Sequence, residues 1–132
     1  MKTRNLIIIS LLIICPLFTT GCLEAAVVGV AAGGGAATVA YIKGELKATE
    51  EASIDKTWAA TVKAVDEMQF LVINKLKDAV SAEYELRTAD NKKIHIELDR
   101  ITENLTEIKI RVGTFGDESL SRYILTKIQS HL

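Results

Sequence analysis

The sequence has little of what disulfide-rich proteins and metal proteins depend on. Among 132 residues it contains two cysteines, two histidines and one proline. Both cysteines lie within the first 22 residues, so the remaining 110 cannot form an intrachain disulfide. The histidines, His95 and His131, have no cysteine or acidic residue beside them at a metal-ligand spacing. The sequence therefore predicts no disulfide framework, no metal site and no cofactor.

Basic charge is also scarce in the main part of the chain. Lys2 and Arg4 are the only charged residues in the first 22, which leaves 14 basic against 17 acidic residues, a net charge of −3, in the rest. A nucleic-acid-binding protein needs a clustered basic face, and this composition provides none. The sequence also lacks a phosphate-binding glycine loop, a nucleophile elbow and an H-E-x-x-H motif. We therefore expect a non-enzymatic protein with no nucleic-acid partner and no recognisable small-molecule ligand.

The N-terminus has the three parts of a secretory signal. Two basic residues precede a predominantly apolar run from Leu6 to Phe18. This run is shorter than the ~20 residues that span a bilayer and fits the ~7–15 residues of a signal-peptide core. Small residues follow, ending in Gly21 and Cys22. The pattern predicts a signal peptide over residues 1–21.

The end of this segment resembles the cleavage site of bacterial lipoproteins, although Thr19 stands where leucine is usual. The resemblance implies cleavage by signal peptidase II between Gly21 and Cys22, and acyl chains on Cys22. Two or three chains anchor a protein durably, whereas one chain binds reversibly. Leu23 after the cysteine, instead of aspartate, implies the outer membrane facing the periplasm, with the inner membrane as the alternative. An ordinary signal peptide cut near Gly21 is the competing interpretation.

An uncharged segment rich in alanine and glycine follows, beginning at Ala25 and ending at Ile42. Gly29 and Gly33 form a G-x-x-x-G pattern, which on a helix lets two backbones approach closely. The segment can therefore be a membrane-inserted or self-pairing helix. Against insertion, three adjacent glycines disfavour a helix and alanine contributes little transfer energy. The alternative is a tether or a helix that lies on the membrane surface. Residues 22–43 are therefore assigned as an acylated N-terminus followed by a Gly/Ala-rich tether or membrane-proximal segment.

Residues 44–132 show strand and helix periodicities that predict one α+β domain. The expected fold is a two-layer sandwich in the order β-α-β-β-β-β-α. Its antiparallel sheet of four to five strands would carry two helices on one face. Ser53 and Asp117 are predicted N-caps of the helices. The strands are predicted at residues 45–49, 70–76, 82–87, 94–99 and 107–112. The apolar stripe of the last helix is predicted at Leu120, Tyr123, Ile124 and Ile128.

Charged side chains alternate with apolar ones along the last three strands, which predicts a polar outer face of the sheet. Trp58 is expected in the core and His95 on the outer face as a surface group. The outer face is interpreted as a solvated array of ion pairs or as a protein-docking surface. Its members are Glu85, Arg87, Glu97, Asp99, Glu107, Lys109 and Arg111.

Two stretches resemble a family of small proteobacterial lipoproteins known only as a domain of unknown function. Residues 41–46 read Tyr-Ile-Lys-Gly-Glu-Leu, and residues 110–117 read Ile-Arg-Val-Gly-Thr-Phe-Gly-Asp. Ser53, Trp58 and Ser121 also match, and the resemblance covers the chain from Cys22 to the C-terminus. It implies an envelope location and an α+β domain, and it transfers no substrate, cofactor or catalytic residue.

Together these features predict a lipid-anchored, non-catalytic protein of the bacterial envelope. Its membrane contact would be the acyl chains on Cys22. Its α+β domain would bind an envelope protein or another copy of itself, or maintain the envelope. The alternative is a membrane-active or self-associating protein whose uncharged segment inserts or pairs through Gly29 and Gly33.

Overall fold

A computed structural model describes residues 38–132. These residues form six strands and two helices in a two-layer α+β arrangement. The elements in chain order are β1 (Val39–Ile42), β2 (Glu45–Glu50), α1 (Ile54–Met68), β3 (Leu71–Lys77), β4 (Ser81–Arg87), β5 (Lys93–Thr102), β6 (Leu105–Val112) and α2 (Glu118–Gln129). The strands form one antiparallel sheet in the order β1-β2-β6-β5-β4-β3, so β1 and β3 are its two edges.

Alternation along the central strands divides the sheet into a buried face and an open face. In β2, β4 and β6, and in residues 93–99 of β5, every second residue is buried, and the residues between them are half-buried or exposed. The two helices pack on the buried face over β2, β4, β5 and β6 and against each other. The apolar core therefore lies between one layer of helices and one layer of strands. Its largest fully buried strand side chains are Tyr84, Leu46, Leu86, Ile94, Ile96, Leu98, Ile108 and Ile110.

Both helices begin at the predicted capping residues. The Ser53 hydroxyl accepts a hydrogen bond from the Lys56 backbone N–H at 3.3 Å, and the Asp117 carboxylate accepts one from the Leu120 N–H at 3.0 Å. Each cap satisfies a backbone donor that has no partner within its helix. Helix α1 ends at Met68, and the left-handed conformation of its C-cap Gln69 (φ 54°) turns the chain toward β3.

Two polar residues of α1 are buried among apolar neighbours. Thr57 and Thr61 are inaccessible to solvent, and each donates its hydroxyl hydrogen to the carbonyl four residues earlier, at 3.0 and 2.8 Å. These hydrogen bonds remove the cost of burying a free hydroxyl. Trp58 is partly buried against the core and stacks on Tyr84 with 4.6 Å between ring centroids.

The predicted α+β class is confirmed, with three differences in detail. The sheet has six strands where four to five were expected. The extra strand, β1, uses residues that were assigned to the tether, so the sheet starts at Val39 instead of after residue 43. Tyr123 was expected on the buried stripe of the last helix but is 51% exposed, and Ser121 and Leu125 are buried there instead.

Candidate functional site

The open face of the sheet carries charged side chains in rows that cross the strands. The antiparallel register places residues of neighbouring strands directly opposite one another. Two rows cross the centre of the sheet from β2 to β3. The first consists of Glu45, Arg111, His95, Glu85 and Asn74. The second consists of Lys47, Lys109, Glu97, Glu83 and Leu76. Charges therefore meet across strands as opposite pairs in some places and as like pairs in others.

Lys109 lies at the centre of the acidic part of this face. Its ammonium nitrogen is 2.6 Å from Asp99 Oδ2, 3.5 Å from Glu97 Oε1 and 3.6 Å from Glu107 Oε2. The hydrogen bond to Asp99 and the charges of all three carboxylates raise the pKa of Lys109 above its usual value, against the opposing effect of desolvation. One cation therefore serves three carboxylates, which leaves this part of the face negative.

His95 lies beside two carboxylates that are distant in sequence. Glu83 and Glu85 are two residues apart on β4, and Glu85 is directly opposite His95 on β5. One potential ligand atom from each of the three residues lies within 4.8 Å of the other two. Sequence reasoning missed this cluster because it examined spacing along the chain. The signal was available, since the short turn at residues 88–92 fixes which residues of the two strands are opposite.

An open concavity lies on each side of His95. The first, of about 490 Å³, includes Glu83, Glu97 and Leu76 in its lining, together with His95. The second concavity, of about 480 Å³, is lined by His95 together with the basic residues Lys92, Lys93 and Arg111. The Lys93 ammonium is 2.6 Å from Glu85 Oε1, and this hydrogen bond lowers the pKa of Glu85. The imidazole thus lies at a boundary between an acidic and a basic part of the face.

The two sequence stretches that suggested a family resemblance contact each other. Gly44 has φ +83° and Gly116 has φ +86°, conformations that side chains with a Cβ adopt at a cost. A Cβ on Gly44 would lie 2.5 Å from the carbonyl oxygen of Phe115, and a Cβ on Gly116 would overlap Gly44 and the hydroxyl of Tyr41. The glycines therefore permit a close backbone contact between the β1–β2 turn and the turn before α2. The Phe115 side chain next to this contact is 94% exposed.

The edge strand β3 exposes large apolar side chains. Every residue of Leu71–Lys77 is exposed, including Leu71 at 63% and Leu76 at 59%. Val80, in the turn after the strand, is also exposed. An edge strand leaves one side of its backbone unpaired and is a template for another strand. β3 therefore combines free backbone groups with an apolar surface, a feature that the sequence analysis did not identify as a site.

The residues predicted for lipidation, cleavage and helix pairing lie outside the described part of the chain. These are Cys22, Gly21, Gly29 and Gly33. Within residues 38–132, no helix has the length and the apolar character needed to cross a membrane. The described residues therefore combine surface ion pairs, two open concavities and an exposed edge strand.

Comparison with known proteins matches one family over nearly the full length of the chain. The family model described as Protein of unknown function (DUF3568) matches residues 5–131, which include the uncharged segment and the α+β domain. No curated protein matches the sequence. The chain belongs to the DUF3568 family of proteins of unknown function.

Proposed function

We propose that the chain is a lipid-anchored protein of the bacterial envelope whose α+β domain binds another protein and performs no catalysis. The anchor is supported by the basic N-terminus, the apolar run and the Gly21–Cys22 pair. The binding role is carried by one structural observation, the wholly exposed edge strand β3. The location is the outer membrane, with the domain facing the periplasm.

The position of β1 favours a tether over an inserted helix. Residues 39–42 pair with β2 along their whole length, so they belong to the sheet. Only residues 25–38 of the uncharged segment remain, and as a helix they would be about 21 Å long at ~1.5 Å per residue. A bilayer core is about 30 Å thick. The alternative of a membrane-inserted or self-pairing segment is therefore left with a span that is too short for a simple crossing.

The partner that fits β3 is an extended segment of another envelope protein, added to the sheet as a seventh strand. Main-chain hydrogen bonds would supply affinity, and alternate side chains would supply specificity. β3 contains Lys75 and Lys77 and no acidic residue. Lys77 is paired with Asp55 on α1 at 2.6 Å, which leaves Lys75 to meet an incoming carboxylate. We therefore expect the added segment to contain apolar and acidic side chains.

The anchor is tested by the intact mass of the protein isolated from membranes. We expect a chain that begins at Cys22 and carries the mass of two or three acyl chains. Cys22→Ser should abolish incorporation of labelled palmitate, whereas Cys15→Ser, a change inside the leader, should leave it intact. A mature chain without acyl mass, or labelling that persists in Cys22→Ser, would refute the anchor.

A further inference from the structure

Glu83, Glu85 and His95 form a three-point arrangement on the open face of the sheet. Two of the residues are at positions i and i+2 of β4, so both side chains project from the same face. The third is on β5 directly opposite Glu85. The strands that hold them are central and joined by a complete antiparallel register, so the backbone positions are fixed by the sheet.

The distance between His95 and Glu83 matches that between two ligands of a small metal ion. His95 Nδ1 is 3.5 Å from Glu83 Oε1, and the ligand atoms of all three residues lie within 4.8 Å of one another. Zinc binds imidazole nitrogen and carboxylate oxygen at about 2.1 Å, which places tetrahedral ligands about 3.4 Å apart. The His95–Glu83 pair already has this separation, and the third ligand needs only a side-chain adjustment.

The surrounding charges also favour a cation. Glu83 lies directly opposite Glu97, and carboxylates in this position repel each other. Lys109 offsets this repulsion only in part, because its ammonium is 3.5 Å from Glu97 Oε1 and lies closer, at 2.6 Å, to Asp99 Oδ2. A cation between Glu83, Glu85 and His95 would relieve this repulsion.

Access to the cluster is open. Both Glu83 and His95 line the concavity of about 490 Å³, with the apolar side chain of Leu76 at its edge. A metal held by three protein ligands would keep its remaining position toward this space. Such an open position is typical of sites that exchange a ligand, whereas closed structural sites have four protein ligands.

We propose that Glu83, Glu85 and His95 bind a divalent first-row transition-metal cation, with zinc as the representative ion. The imidazole nitrogen selects against calcium and magnesium, which prefer sites made of oxygen ligands alone. Lys93 is the built-in competitor, because its ammonium is 2.6 Å from Glu85 Oε1 and its positive charge opposes a second cation at this carboxylate. Removing that ammonium should therefore strengthen the site.

The test is titration of the purified full chain with zinc chloride, followed by calorimetry and by competition with a chromogenic chelator. We expect one equivalent of zinc to bind. His95→Gln and Glu83→Gln should each weaken binding at least tenfold, and Lys93→Gln should strengthen it. His131→Gln is the matched control, because His131 Nε2 also contacts a carboxylate, Glu67 Oε2 at 3.0 Å, but is not part of the three-residue cluster.

Circular dichroism of each variant checks that the domain remains folded, since all four side chains lie at the surface. The proposal is overturned if zinc shows no saturable binding, if His95→Gln binds as well as the original chain, or if His131→Gln removes the binding. It is also overturned if Lys93→Gln weakens the site, because Lys93 would then support it instead of competing with the metal.

Discussion

The two edges of the sheet are built in opposite ways. β1 has four residues, three of them half-buried, and its Val39 and Tyr41 pack against the core. β3 has seven residues, all exposed. The edges lie five strand spacings apart, or about 24 Å at ~4.8 Å per spacing. One edge strand is therefore packed against the core, and the other exposes all its side chains to solvent.

Different interactions hold the two edges in place. The end of β1 is fixed by backbone packing, because Gly44 and Gly116 allow the neighbouring turns and Tyr41 to meet closely. The end of β3 is fixed by carboxylates. Asp55 on α1 binds Lys77 at 2.6 Å, and Asp78 accepts hydrogen bonds from the backbone N–H groups of Val80 and Ser81 at 2.8 and 2.7 Å. Close packing does not depend on pH, whereas the contacts of carboxylates weaken when acid protonates them. The contributions of the two edges to stability can therefore be distinguished by experiment.

The largest effect is expected at the glycine contact. Gly116→Ala should lower the free energy of unfolding by about 3 kcal/mol, from the cost of a left-handed conformation together with overlap of the new Cβ with Gly44 and Tyr41. Gly113→Ala is the matched control, because Gly113 also has positive φ but a Cβ there would meet no atom within 4 Å. The control should lose only about 1 kcal/mol. Equal losses in chemical denaturation would contradict a close contact that holds β1.

A smaller difference is expected between two matched valines. Val39 on β1 and Val72 on β3 both belong to the helix-covered side of the sheet, opposite Ala48 and Leu86. Val39→Ala should cost about 1 kcal/mol because it removes methyl groups packed against the core, whereas Val72→Ala, at a more exposed position, should cost less than about 0.5 kcal/mol. Denaturation midpoints of the two variants measure the difference. A larger loss at Val72 would mean that β3 is packed as firmly as β1.

The smallest effect is a local response to acid at the open edge. Hydrogen bonding from Lys77 lowers the pKa of Asp55, and backbone hydrogen bonds from Val80 and Ser81 lower that of Asp78. A carboxyl whose pKa is lowered by folding stabilises the folded state above its ordinary value of about 3.8, and this contribution is lost as the pH falls through the lowered value.

Amide protection in residues 77–81 should therefore decrease below pH 3.8 before protection in β1, whose residues carry no carboxylate. Hydrogen exchange, corrected for the intrinsic pH dependence of the rates, measures this order. Asp78→Asn should remove most of the response at the turn. Simultaneous loss of protection at both edges would show that acid unfolds the domain as a whole.

The central strands and the caps could be predicted because each depends on local sequence. Alternation places Tyr84, Ile96 and Ile110 in the core, and side-chain oxygens at Ser53 and Asp117 start the helices. β1 was missed because its residues continue a long uncharged run. The one signal in the sequence was Gly44, because glycine readily adopts the positive φ that a two-residue hairpin requires, and Lys43 beside it also has positive φ in the structure.

The candidate sites were harder to predict because they depend on how neighbouring strands are aligned and on which strands the helices cover. His95 meets Glu83 and Glu85 only after β4 and β5 are aligned. The apolar pattern of β3 predicts a strand correctly, but a pattern cannot tell whether helices extend far enough to cover it. Tyr123 shows the same limit on a helix, since its spacing fits the buried stripe while its side chain lies at the surface.

The central claim is that β3 is the edge to which a partner strand is added. Hydrogen exchange should be compared between the anchored full chain in isolated envelope membranes and the same chain purified in detergent. We predict that a peptide covering residues 70–78 is more protected in the membranes, and that a peptide covering residues 38–44 exchanges equally in both. Equal exchange of β3 in the two preparations, or added protection at β1 alone, would contradict the account.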